Sequence, residues 1–162
     1  MRDPFRNPFP GGDAARHSIW EMLVTRDIDA FLSADWSMVA GDFVEDGFIG
    51  IDGKRKTDPD DWRLTFPSLA AYREEWLRQA RDFAEQSFAE DVRTAIFTTT
   101  TLEDIEVSGD RALARKKFDG EIRKADGSVD VLKWQTVYYC RLHEGRWKIS
   151  GFTGYLPNPM SD

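Results

Sequence analysis

Near residue 93 the hydrophobic period of the chain changes, and this constrains the fold more than any other feature of the sequence. Before that point apolar side chains recur at threes and fours; after it they alternate. Ile19, Trp20, Leu23 and Val24 form one helical stripe with Asp13 as its N-cap, and Ile28, Phe31, Leu32, Trp36 and Val39 form a second that Gly41 stops. Ser68 caps the third and clearest stripe, which runs through Leu69, Tyr72, Trp76, Leu77, Ala80 and Phe83. After Arg93, turn signals at Ser108-Gly109-Asp110, Ala125-Asp126-Gly127 and Glu144-Gly145 divide the sequence into four hairpin-joined strands. Helices followed by such strands predict an α+β domain, with the helices packed on one face of an antiparallel sheet.

Between these halves, Phe48 to Ile51 reads as a short strand closed by the Asp52-Gly53 turn. Residues 52–67 are polar and punctuated by proline, a long loop anchored by Trp62 and Phe66. At 162 residues the chain supports one core, so residues 13–162 are expected to form a single domain. Residues 1–12 carry three prolines and two glycines around Phe5 and Phe9 and predict an extended arm.

A net charge of −7 disfavours a polyanionic partner, so nucleic acid is not expected. The N-terminus lacks the apolar run of a secretory signal and no stretch reaches membrane-span length, which predicts no membrane partner and makes the cytoplasm the default compartment. Cys140 is the only cysteine and His17 and His143 the only histidines, so neither a disulfide nor a metal ligand set of zinc spacing is expected, and no cofactor motif is present. Asp42, Glu45 and Asp46, and likewise Lys54, Arg55 and Lys56, read as solvated surface groups.

The order "RDIDAFLSADW", "FVEDGFIGIDG", "SLAAYREEWL" and "RLHEGRWKISGF" resembles the nuclear transport factor 2-like superfamily, often labelled SnoaL-like, over nearly all of residues 13–157. The resemblance implies a curved sheet wrapped around helices as a cone, an internal ligand cavity, and a homodimer through the sheet's outer face. It selects no activity, because one fold hosts many. Where the superfamily's ketosteroid isomerases hold a base aspartate and an oxyanion-hole tyrosine, this chain has Ile51 and Ile19; where they hold an oxyanion-hole aspartate it has Tyr138.

Side chains alternate along a strand, so an inward Tyr138 brings Trp134, Thr136 and Cys140 to the same face, and the last strand is expected to add Trp147, Ile149 and Thr153. That wall suits a small apolar or aromatic ligand oriented by one or two hydrogen bonds. Trp36, Phe48, Tyr72, Trp76, Trp134, Thr136 and Thr153 are the candidate binding residues, with Trp62 and Phe66 near the mouth of the cone. For Trp134 and Trp147 the competing reading is plain core packing.

Tyr138 is the candidate donor to a developing oxyanion, and an unperturbed phenol is too weak a base to act alone. Asp35, one helical turn from Phe31 and Val39, is the candidate acid or base, against a helix-edge role beside Arg26. His17 stands behind it, against a solvent-facing or capping role. The expected function is a small-molecule-binding domain with cofactor-independent isomerase, cyclase or dehydratase chemistry on a cyclic compound; the alternative is a non-catalytic binding or dimerisation module. Val131, Val137, Tyr139, Phe152 and Leu156 are expected on the outer face, where a second copy would cover them.

Overall fold

Asp13 accepts the amide of Arg16 and starts a helix that runs, with one irregularity, to Ser33. Its first part, α1 (Ala14–Trp20), passes through a π-helical stretch (Glu21–Arg26) into α2 (Asp27–Ser33). In this computed structural model, which describes residues 2–161, the second helix therefore ends well before Gly41. Ala34 turns left-handed at φ 49°, and Asp35 caps a separate 3-10 turn over Trp36–Met38. Apolar side chains spaced by three satisfy a 3-10 turn as well as an α-helix, so the stripe continues although the helix does not.

Ser68 caps α3 (Leu69–Ala84) as expected, accepting from the Ala71 amide. Past residue 90 the first element is a helix, α4 (Val92–Thr99), instead of a strand. Its threonines favour strand, but Asp91 caps it and Ala95, Ile96, Phe97 and Thr99 are buried against α2 and the sheet, so packing overrides propensity.

The sheet comprises β1 (Ile49–Asp52), β2 (Arg63–Phe66), β3 (Thr100–Ser108), β4 (Arg111–Arg123), β5 (Val129–His143) and β6 (Arg146–Leu156), in spatial order β2-β1-β6-β5-β4-β3. β3 to β6 are the four antiparallel strands the turn signals predict, and Gly109, Gly127 and Gly145 take positive φ in their turns. β1 pairs with β6 in parallel, so the sheet is mixed and not wholly antiparallel, and β2 forms inside the segment expected to be loop. Register shifts interrupt β1, β3, β5 and β6, and such bulges bend long strands. The bent, open sheet holds the helices in its concavity, an α+β cone.

Two of those shifts change which residues of β6 face inward. Tyr139 pairs with Gly151 and Cys140 with Ile149, leaving Ser150 as an extra residue. Phe152 therefore turns into the core and Thr153 turns out, where its hydroxyl meets that of Tyr139. The opposite was expected for both. Leu156 pairs with Gln135, on the same strand parity as Val137 and Tyr139, and is itself buried.

The N-terminal arm lies on its own domain. Phe5 packs on Phe97 at 4.8 Å, Arg93 sits over the Phe5 ring, and Arg2 donates to the carbonyls of Thr98 and Thr100. Asp42 is no surface acid, because it is 1% exposed and receives both a bidentate pair from Arg26 and a contact from Arg146. Among the described residues no helix is long and apolar enough to cross a membrane.

Candidate functional site

A cavity of about 420 Å³ lies between α2, α3 and the inner faces of β4, β5 and β6. Its apolar wall comes from Phe31, Trp76 and Phe83 on the helices and Phe118, Trp134 and Phe152 on the sheet. Phe31 meets Trp76 edge to face at 5.7 Å and Phe118 meets Trp134 at 4.7 Å, so the wall is held by aromatic contacts from both sides.

Three oxygen-bearing groups converge on this wall. Tyr72 projects from α3 and Tyr138 from β5, and among the described residues neither hydroxyl has a hydrogen-bond partner. Burial holds both phenols well above the usual phenol range; the charge of Asp27 adds to the shift of Tyr138, and Tyr138 adds to that of Tyr72. Both therefore stay protonated at neutral pH and can donate.

The third group is Asp27, the first residue of α2. One of its oxygens accepts from the Lys116 ammonium at 2.9 Å, and the side chain keeps 28% of its surface open. Lys116 is 1% exposed and also donates to the carbonyl of Leu23. The π-helical stretch makes this possible, since the Asp27 amide donates to Val24 and not, four residues back, to Leu23. A buried ammonium thus finds two acceptors on one helix irregularity, and it fixes the carboxylate at the edge of the cavity.

Tyr155, at the end of β6, completes the polar lining through a 3.2 Å bond from the Gln79 amide. Its backbone is left-handed at φ 53°, a conformation unusual for an aromatic residue. Gln86 closes the same wall with a buried Oε1 that has no partner. Cys140 lies deeper in the core, its thiol pushed by burial up to about 12, which keeps it unreactive.

Of the residues singled out in the sequence, Tyr138, Tyr72, Trp76, Trp134 and Thr136 line this cavity. Phe48 and Phe66 form a layer behind it, each packed on both Tyr72 and Phe152, and Trp36 stacks on Phe43 and touches Trp76. Trp62 donates to the Lys56 carbonyl within its own loop, and Thr153 faces outward.

Asp35 is exposed, and its carboxylate is spent on the amide and hydroxyl of Ser37. His17 places Nδ1 2.9 Å from the Phe9 carbonyl and lines a separate cleft between α1 and the β5–β6 hairpin. The structure brings neither to the cavity. Asp27, with Lys116 behind it, and Arg55, Tyr155, Gln79 and Gln86 are there although the sequence did not single them out for it. One signal was available: Lys116 shares strand parity with Ala112, Ala114 and Phe118, a lysine on an inward face. Among the described residues no cluster of His, Cys, Asp or Glu side chains is placed to hold a metal ion.

The sequence matches no protein-family model and no curated protein. Solved structures do match. An NTF2-like protein of unknown function from Pseudomonas putida superposes with a TM-score of 0.59 at 16% identity, over 89% of this chain and 87% of that one. The chain has the NTF2-like fold. An NTF2-like superfamily protein from Salmonella enterica gives 0.57 at 14% identity over 90% and 93% of the two chains. An NTF2-like protein from Novosphingobium aromaticivorans, described as having a cystatin-like fold, gives 0.52 at 14% over 88% and 80%. Identities this low speak for the NTF2-like architecture, so the reading of the cavity has to come from its own residues.

Proposed function

We propose that this NTF2-like chain binds a flat, largely apolar, carbonyl-bearing molecule in its cavity and carries out acid–base chemistry on it, of the isomerase, cyclase or dehydratase kind. The observation that carries this reading is the meeting of two unpartnered, protonated phenols with one held carboxylate in an aromatic cavity. Asp27 takes the part the sequence offered to Asp35. Its free oxygen accepts a proton from the carbon beside the ligand carbonyl, the C–H electron pair moves into the carbon–carbon bond, and the carbonyl oxygen becomes an enolate. Tyr138, with Tyr72 beside it, donates to that oxygen as its charge grows. Return of the proton from Asp27 to another carbon completes an isomerisation with no redox change. A homodimer through the outer face of the sheet is part of the same reading.

The test uses 5-nitrobenzisoxazole, a flat probe whose ring opens when a carboxylate removes its C3 proton and the N–O bond breaks, placing charge on a phenolate oxygen. The wild-type protein is expected to accelerate this opening above an equal concentration of acetate, with the gain lost in Asp27→Asn and reduced in Tyr138→Phe. Tyr138→Phe deletes one oxygen and keeps the test open should Asp27→Asn fold poorly. Binding of the probe with no acceleration favours the non-catalytic module. No binding at all removes the cavity reading.

A further inference from the structure

Every charged group that lines the cavity has an ion-pair partner, with one exception. Asp27 is paired with Lys116; Arg78 is paired with Glu75 and Asp82; Asp130 lies 3.6 Å from Lys124. Arg55 also lines the cavity, yet among the described residues it has no ion pair, and its side chain makes no hydrogen bond. Its guanidinium lies over the Trp134 ring, 5.4 Å from the centroid. In a protein of net charge −7, an unpaired cation at an apolar cavity is not what average surface charge would place there.

A tight turn presents this residue to the cavity. Lys54 and Arg55 are both left-handed, at φ 51° and 58°, and the Arg55 amide donates at 2.7 Å to the carbonyl of Tyr155, itself left-handed. Lys54 and Arg55 are the central residues of a tight turn closed by the Lys56 amide on the Gly53 carbonyl at 2.9 Å, so the turn and the Tyr155 contact together fix where Arg55 emerges beside the cavity. A guanidinium over an aromatic ring is attracted to its face while its five N–H donors stay available, and their fork can receive a carboxylate in a two-pronged hydrogen bond.

We propose that Arg55 is an anion subsite, and that the ligand of this cavity is an aromatic or alicyclic acid whose carboxylate, or an equivalent monoanion, docks on Arg55 while its ring system enters between the aromatic walls. The inference rests on the reading of the cavity as a ligand site and adds the ligand's charge and orientation. Trp134 supports the guanidinium from below and forms part of the wall that the ring passes, so charge recognition and ring recognition share one side chain.

Two fluorescent probes of one scaffold test it: anionic 1-anilinonaphthalene-8-sulfonate and its uncharged parent N-phenyl-1-naphthylamine. Wild-type protein is expected to bind both. Arg55→Gln is expected to weaken the anionic probe by fivefold or more and to leave the neutral probe within twofold; Arg55→Lys, which keeps charge without the fork, should fall between. Equal affinity of the anionic probe for wild type and Arg55→Gln, with the neutral probe still bound, overturns the anion subsite and leaves the cavity reading in place. Failure of both probes to bind the wild type overturns both. Arg55 is exposed and the hydrogen bond its backbone amide donates to the Tyr155 carbonyl survives the substitution, so loss of the fold is not expected, and circular dichroism checks this.

Discussion

Tyr138 was legible from strand parity because its neighbours Trp134, Thr136 and Cys140 repeat the inward position without interruption. Asp27 was not, because what distinguishes it is Lys116, which is 89 positions away and meets it beside a helix irregularity that no local pattern announces. Asp35 looked attractive for a local reason, its place on an apolar stripe, and one left-handed residue at Ala34 was enough to turn it outward. The burial that keeps the cavity phenols protonated also has a thermodynamic consequence. Cys140, Tyr72, Tyr138 and Tyr155 all have raised pKa values in the folded state, so the unfolded chain loses these protons first as pH rises. Their contribution to stability is complete below the unfolded values and falls away above them. For Cys140, moved from 9.0 to about 12, the loss begins near pH 9. It reaches about 2 kcal/mol by pH 10.5. Urea midpoints measured from pH 8 to 10.5 should fall accordingly, and Cys140→Ala should flatten the first part of the decline; a wild-type midpoint constant across that range would contradict the burial argument.

Elements marked by caps and turns were readable; those decided by tertiary contacts were not. The Ser68 cap, the Asp13 cap and the three glycine turns are local chemistry, and each appears where the sequence indicates. The inward residues of β6 could not be read, because an extra residue in one strand reverses the parity of everything beyond it. α4 belongs to the same class. It lies so close to β4 that a Cβ on Gly120 would come within 2.5 Å of the Thr99 methyl. Gly120→Ala is therefore expected to destabilise by about 1–3 kcal/mol through overpacking. Thr99→Ser removes that methyl and retains the hydroxyl that bonds the Ile96 carbonyl, so adding it to Gly120→Ala should recover most of the loss. Thermal melts of the two single variants and the double variant decide this. Recovery would locate the clash between α4 and the sheet, whereas additive losses would place the cost in the strand itself.

For the whole molecule, the sheet's concave side is filled by helices and cavity, while among the described residues no helix or further strand covers its convex side. Turning Phe152 inward removes one apolar residue from the expected dimer face and Leu156 is buried, yet the face does not become polar. Ile49 is 39% exposed and Leu113 47%, and Val137 and Tyr139 remain half-buried between them. Leu113 pairs directly with Tyr139 across β4 and β5, so these side chains form a continuous strip, flanked by Arg115, Lys117 and Lys133. A strip with an apolar centre and charged edges has the layout of an interface core and rim. A two-fold axis through it would set each copy's Leu113 and Tyr139 against the partner's strip and bury on the order of 1,600 Å² in total. The net charge of −7 on each copy opposes association at long range, so the contact should tighten as salt screens that repulsion. Sedimentation equilibrium at micromolar concentration is expected to show a dimer in wild type and a monomer in Leu113→Asp, which places a carboxylate in the centre of the strip without touching the cavity side. A monomeric wild type across that concentration range, at both low and physiological salt, would instead mean that the convex face is wet in solution and that the cone functions as a single copy.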